Sequence, residues 1–210
     1  MIDGTKRYLE TIEWLGNLYD YVNEQFFKGE LHRPVITVQL DEKNKAYGWF
    51  TCAKVWTLRE SATNWDIDYE INMSAQYLNR PVYDTVGTLI HEMCHQFAKV
   101  NNVQDCSRSG TYHNKLFKKI AEEHGLSVVN IERIGWARTS LTDDTKEIID
   151  LFLKSHPYDV IYRCSPVKGT RVKSSSTRKY ICPCCGMSVR ATKSVNIMCA
   201  DCNEFMTADF

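Results

Sequence analysis

Two groups of residues in this chain have the types and spacing for metal chemistry. The first is His91-Glu92-Met93-Cys94-His95. On a helix, histidines four positions apart project from one face about one turn apart, so both imidazoles can grip one Zn²⁺ at ~2.0–2.1 Å. Glu92 follows the first histidine on an adjoining face, where its carboxylate can reach water at the metal without being a ligand. The second group pairs Cys182-Pro183-Cys184-Cys185 with Cys199-Ala200-Asp201-Cys202, two C-x-x-C knuckles separated by thirteen residues. That spacing predicts a tetrahedral Cys₄ zinc site made of Cys182, Cys185, Cys199 and Cys202, with Gly186 suiting the first tight turn. Cys184 as a substitute ligand would break the two-residue spacing.

A hydrolytic zinc needs a third protein ligand and one open position. The helical run that follows offers His113, Glu122, Glu123 and His124. Its apolar stripe is Leu116, Phe117, Ile120 and Ala121; both histidines lie on it and Glu122 faces away. Eleven residues separate the two histidine positions, about 16 Å along a helix, so one ion takes only one of them. His113 opens the run after a loop of Asn, Asp, Ser and Gly that can wrap a metal, whereas His124 precedes Gly125 as an ordinary end residue. His113 is therefore the expected third ligand, and His32 and His156 are expected to be structural. Arg108 and Tyr112, in the neighbouring loop, are candidate donors to a developing oxyanion.

The positioning elements follow from periodicity. Leu9, Ile12, Leu15, Leu18, Tyr19, Val22 and Phe26 predict an amphipathic helix over Thr5 to Lys28, stopped by Gly29. Val35 to Leu40, Tyr47 to Cys52, Val55 to Arg59 and the alternating Asp66 to Met73 predict strands, and their short spacings predict an antiparallel meander. Pro81 opens a helix over Val82 to Val100 that carries the H-E-x-x-H. Val86, Leu89, Met93 and Phe97 form its apolar back, and Gly87, Cys94 and Ala98 flank the histidines, as in a central helix with room at the metal. A third helix is predicted from Tyr112 or His113 to His124, and a fourth over Asp143 to Lys154.

The 210 residues carry equal numbers of acidic and basic groups, but residues 163–210 have a net charge of +5 and residues 1–162 a net of −5. Residues 163–180 hold six basic and no acidic residues among Ser, Pro and Gly, a linker composition that favours sequence-independent phosphate contacts. Arg190 and Lys193 continue the basic stretch. The expected organisation is thus 1–162 as one α+β domain, 163–180 as a basic linker and 181–210 as a mini-domain too small for a core without a metal staple. Nine cysteines, an opening Met1 to Lys6 without a secretory pattern and no apolar run long enough for a bilayer favour a reducing compartment, metal binding over disulfides and no membrane partner.

With these residues in view, the stretch LYDYVNEQFFKGEL from Leu18 to Leu31, the H-E-M-C-H-Q-F helix and His113-x-x-x-Phe117 resemble the SprT-like metallopeptidase family, whose eukaryotic member is called Spartan. The resemblance covers about residues 15–125, and the C-terminal ribbon extends it. It implies a zincin-like α+β domain, an antiparallel sheet with the H-E-x-x-H helix, followed by a zinc ribbon. It also implies one catalytic Zn²⁺ on His91, His95 and His113, Glu92 as general base, one structural Zn²⁺, and substrates that are proteins bound or crosslinked to DNA. Two departures stand out: seventeen residues separate His95 from His113, and Tyr112 stands where a glycine is usual. A monomer in the cytoplasm or at the nucleoid is the corresponding expectation. The rivals are a non-catalytic nucleic-acid adaptor with two structural zincs, and a zinc hydrolase unrelated to DNA.

Overall fold

The computed structural model describes residues 3–40, 46–57, 68–164 and 177–209. The chain divides into two units, Met1–Cys164 and Ser165–Phe210. The first begins with α1 (Gly4–Phe26), whose N-terminal amides on Thr5 and Lys6 are capped by the Asp3 carboxylate. Its buried positions, among them Leu15, Leu18, Tyr19 and Val22, recur at three and four residues and form one wall of the core.

Three short strands come next: β1 (Val35–Thr37), β2 (Gly48–Phe50) and β3 (Glu70–Met73). They are ordered β1-β3-β2, with β3 parallel to β1 and antiparallel to β2, so the antiparallel meander expected from the spacing is replaced by a mixed sheet. The physical reason lies in β3. All four of its residues are buried, so it takes the centre rather than a half-exposed position. Its polar Asn72 is accommodated because Oδ1 accepts from Thr37 Oγ1 at 2.9 Å and Gln39 N–H at 2.8 Å. Of the expected strand Val55 to Arg59, only an isolated bridge between Trp56 and Asp68 forms; Leu58, Arg59, Asp66 and Ile67 lie outside the described residues.

After Pro81 comes α2 (Val82–Val100), whose Val86, Leu89, Ile90, Met93, Cys94 and Ala98 have no exposure at all. Then follow β4 (Cys106–Ser107), β5 (Tyr112–His113), α3 (Lys115–Glu123), β6 (Leu126–Ile131), β7 (Gly135–Leu141) and α4 (Asp143–Ser155). The second sheet is ordered β4-β5-β7-β6, and β7 is in contact with α2. None of its strands is signalled by strong alternation; β6 and β7 mix apolar with charged and hydroxyl side chains. No described helix is long and apolar enough to cross a membrane.

The second unit has β8 (Arg178–Ile181), β9 (Ser188–Ala191), β10 (Met198–Cys199), β11 (Glu204–Phe205) and β12 (Thr207–Asp209). These make one sheet, β12-β8-β9, and a separate β10-β11 pair. Among the described residues its buried cluster is Tyr180, Cys182, Cys199 and Met206. Arg178 and Lys179, expected in the linker, lie on β8; residues 165–176, including Lys168, Arg171 and Lys173, are outside the described residues.

Candidate metal centres

His91 and His95 project from one face of α2, and His113 reaches them from β5. The three Nε2 atoms form a triangle with sides of 3.2, 3.2 and 3.1 Å. Nitrogens bound ~2.0–2.1 Å from one tetrahedral zinc lie roughly 3.3 Å apart, so the donor set fits that ion with little movement. Phe117, fully buried on α3, packs against all three rings at centroid distances of 4.7, 4.7 and 4.6 Å and forms a rigid floor.

His113 was expected to open the third helix, but α3 starts two residues later and His113 is extended. Asn114 explains the difference: its Oδ1 accepts from the Leu116 and Phe117 amides, so the cap role falls there and the residue before it remains free to pair as a strand. The His113 amide donates to Ile134 O at 3.0 Å, and its Cα partner across the sheet is Gly135. Gly135 has φ +76°, and a Cβ there would lie 2.1 Å from His113 O. Only glycine permits both the backbone conformation and this approach.

The outer nitrogens of the three rings differ. His95 Nδ1 lies 2.5 Å from Asp105 Oδ2, and His91 Nδ1 lies 3.1 Å from Thr139 Oγ1. His113 Nδ1 is buried with no hydrogen-bond partner. Burial, reinforced by the neighbouring imidazoles, holds His91 well below the usual histidine range and lowers His113 to about 4. Burial is the strongest single influence on His95 and opposes its charge, but the hydrogen bonds to Asp105 and Cys106 and the carboxylates of Glu92 and Asp105 together outweigh it and raise that ring to about 10. A proton that these interactions keep on His95 Nε2 competes with a metal for the triangle. Asp105 and Thr139 were not predicted; they stand 10 and 48 residues from the histidines they meet and belong to no local pattern.

Glu92 is 7% exposed and its carboxylate accepts from the Phe50 amide of β2. Burial raises it to about 7, against the opposing pull of His95 and the Phe50 N–H. Such a carboxyl takes and returns a proton readily near neutral pH. It shares a cleft of about 1090 Å³ with the three histidines, Trp49 and Arg138. Arg108 and Tyr112 do not line that cleft; the guanidinium stacks on the Tyr112 ring at 4.8 Å. His124 ends α3, donating from Nδ1 to Ile120 O at 2.6 Å and stacking on Phe27. His32 pairs with Asp68, and His156 stacks on Phe152.

In the second unit, the sulfurs of Cys182, Cys185, Cys199 and Cys202 all lie within 4.8 Å of one another. Cys185 and Cys199 are 3.7 Å apart, close to the roughly 3.8 Å between sulfurs ~2.3 Å from one tetrahedral zinc. Each knuckle closes with the same kind of bond: Gly186 N–H to Cys182 O at 3.0 Å and Asn203 N–H to Cys199 O at 2.8 Å, with positive φ at both Gly186 and Asn203. Backbone amides of Cys185 and Cys184 draw the Cys182 thiol down to about 7, and the sulfurs of Cys185 and Cys184 push Cys202 up. Cys184 is exposed and outside the four-sulfur group.

Set against known proteins, residues 15–134 match the SprT-like family model, a span that includes His91, Glu92, His95, Asp105 and His113 and excludes the cysteine cluster. No curated protein and no solved structure matches the chain.

Proposed function

The chain belongs to the SprT-like family, and from that membership we propose that it is a zinc-dependent endopeptidase acting on proteins bound or crosslinked to DNA. In this reading the first unit is a zincin-like domain, and His91, His95 and His113 hold the catalytic ion through Nε2. When bound, zinc supplies Lewis acidity, polarising the scissile carbonyl and making water more acidic. Glu92 is the general base. Its carboxylate accepts the proton of the attacking water and returns it to the leaving amine, two transfers that suit a group poised at about 7. The Phe50 N–H steadies that carboxylate. The open cleft beside β2 admits a polypeptide segment rather than enclosing a small molecule.

The second unit is read as a zinc ribbon whose ion is structural. With four buried residues for a core among those described, it depends on the metal, whose binding stabilises such domains by roughly 10 kcal/mol or more. Lys179 and Arg190 face one another in register on β8 and β9. Like charges directly opposite are unfavourable until an anion lies between them, which suits a phosphate backbone. DNA then localises the enzyme on its substrates, without base-specific contacts. The observation that carries the reading is the triangle of Nε2 atoms beside buried Glu92, within the span matched by the family. The test is cleavage of a DNA-bound protein, with and without DNA and with Glu92→Gln as control. Cleavage that DNA stimulates and Glu92→Gln removes is the expected result. Cleavage indifferent to DNA would leave a general zinc hydrolase, and none at all under either condition would favour an adaptor.

A further inference from the structure

We propose that Asp105 is a positioning residue for the metal, a role that rests on the zinc reading of the three histidines. Its carboxylate holds the His95 ring and turns Nε2 toward the ion. The contact is short, 2.5 Å from Nδ1 to Oδ2, and the two side chains are only 15% and 16% exposed, so water competes weakly for it. An ionised carboxylate only accepts hydrogen bonds. Nδ1 must therefore carry the proton, and in the neutral imidazole Nε2 is left with its lone pair. The negative charge also raises the donor strength of the ring. The other ligands are anchored less firmly: His91 meets the neutral Thr139 hydroxyl at 3.1 Å, and buried His113 Nδ1 has the Ile134 backbone near it but makes no hydrogen bond of good geometry.

A purely structural role would make Asp105 a staple for its loop, but the loop is closed by other bonds. Asn114 N–H donates to the Asp105 backbone oxygen at 3.0 Å, and Asn114 Nδ2 donates to Gln104 O at 2.7 Å. The β4-β5 pairing adds Cys106 opposite His113 and Ser107 opposite Tyr112. None of these uses the Asp105 carboxylate. One hairpin thus delivers His113 as a ligand from its second strand and, at the foot of its first, the group that orients a ligand on α2. Cys106 Sγ, 3.9 Å from His95 Nδ1, adds a second contact, but thiol sulfur is a weak acceptor beside the carboxylate.

The experiment is zinc titration of the metal-free full chain against a chromophoric chelator, for wild type, Asp105→Asn, Asp105→Glu and Thr139→Val. Asp105→Asn keeps the size and removes the charge. Wild type should take two ions; Asp105→Asn should hold one as before and the other about 10–100-fold more weakly. Thr139→Val should weaken that same ion less, and Asp105→Glu, which keeps the charge, should lie between Asn and wild type. With Co²⁺ in place of zinc, the absorption of the weaker class should change in Asp105→Asn and return toward wild type in Asp105→Glu. Two ions at wild-type affinity in Asp105→Asn would overturn the proposal. Equal weakening of both ions would also overturn it, marking Asp105 as a fold residue. A wild-type chain that takes only the cysteine-bound ion would instead overturn the zinc reading of the histidines, and this role with it.

Discussion

In the first unit the three histidine nitrogens come from α2 and β5, elements held by a core in which Leu89, Met93 and Phe117 are wholly buried. In the second unit the four sulfurs come from two tight turns, and two of the cysteines are themselves half of the buried cluster. The histidines are set on a core that is built without them, while the cysteines supply half of the buried cluster of their own unit. The two also differ in what surrounds the ligands. The histidines have a buried acid neighbour, Glu92, and an open cleft; the cysteines have backbone amides turned toward sulfur. One arrangement leaves room for reactants, and the other draws its four sulfurs to within 4.8 Å of one another.

That contrast can be broken at either end. Cys199→Ser should have the largest effect: loss of one zinc per chain and, with it, roughly 10 kcal/mol or more of folding free energy in the second unit. Circular dichroism and metal analysis read both, and cleavage of a free peptide should survive because the histidines lie in the other unit. Loss of peptide cleavage to the same degree would erase the distinction between the sites. Glu92→Gln should do the opposite. Zinc content and unfolding midpoint should stay close to wild type while kcat falls by about 10²–10⁴, the usual worth of a general base. Activity above a tenth of wild type would remove Glu92 from the mechanism.

Proton competition sharpens the comparison further. Burial lowers His91 and His113, whereas His95 is raised to about 10 and is the ring that keeps a second proton near neutral pH. The apparent affinity of the histidine site should therefore rise about tenfold per pH unit between pH 6 and 9, then level off as His95 deprotonates. The cysteine site should rise more steeply from pH 7 upward, because Cys182 loses its proton near 7 while Cys185 and Cys202 are held above the usual thiol range. Chelator competition at several pH values gives both slopes; equal slopes would contradict the assignment of protons. The smallest effect concerns charge. Neutralising Arg178, Lys179, Arg190 and Lys193 together should make the log–log salt dependence of duplex binding shallower by up to about 3–4 units, with no change in free-peptide cleavage. An unchanged slope would leave these cations without a phosphate partner.

The parts of this arrangement that show in the sequence are those whose information is local. The spacing of His91 and His95, the apolar back of α2 and the two cysteine knuckles each fit within one or two turns of chain. His113 could be singled out by its residue type and preceding loop, but its element could not, because Asn114 moves the helix start and the pairing partner, Gly135, lies 22 residues further on. Asp105 and Thr139 gave no signal at all; a carboxylate and a hydroxyl in mixed polar stretches acquire meaning only when the fold brings them to an imidazole. The same holds for β3. Its alternation of polar and apolar residues reads as half-exposed, yet Asn72 and Glu70 are buried, with Asn72 Oδ1 accepting from Thr37 and Gln39 and the Glu70 carboxylate from Trp56.

The seam between His113 and Gly135 has a consequence for how such a site can vary. His113 takes its place from the strand across the sheet, through the Ile134 carbonyl and the bare Cα of Gly135, and not from the length of chain that leads to it. Between Ser107 and Tyr112 the backbone turns through three successive residues of positive φ, Arg108, Ser109 and Gly110, and the Gly110 position has open space around it. Residues gained or lost there alter loop closure by only fractions of a kcal/mol and leave the seam untouched. A change of length at the hairpin tip, whose Gly110 borders the cleft, is thus felt by the cleft and not by the seam, while a single methyl group at position 135 is forbidden.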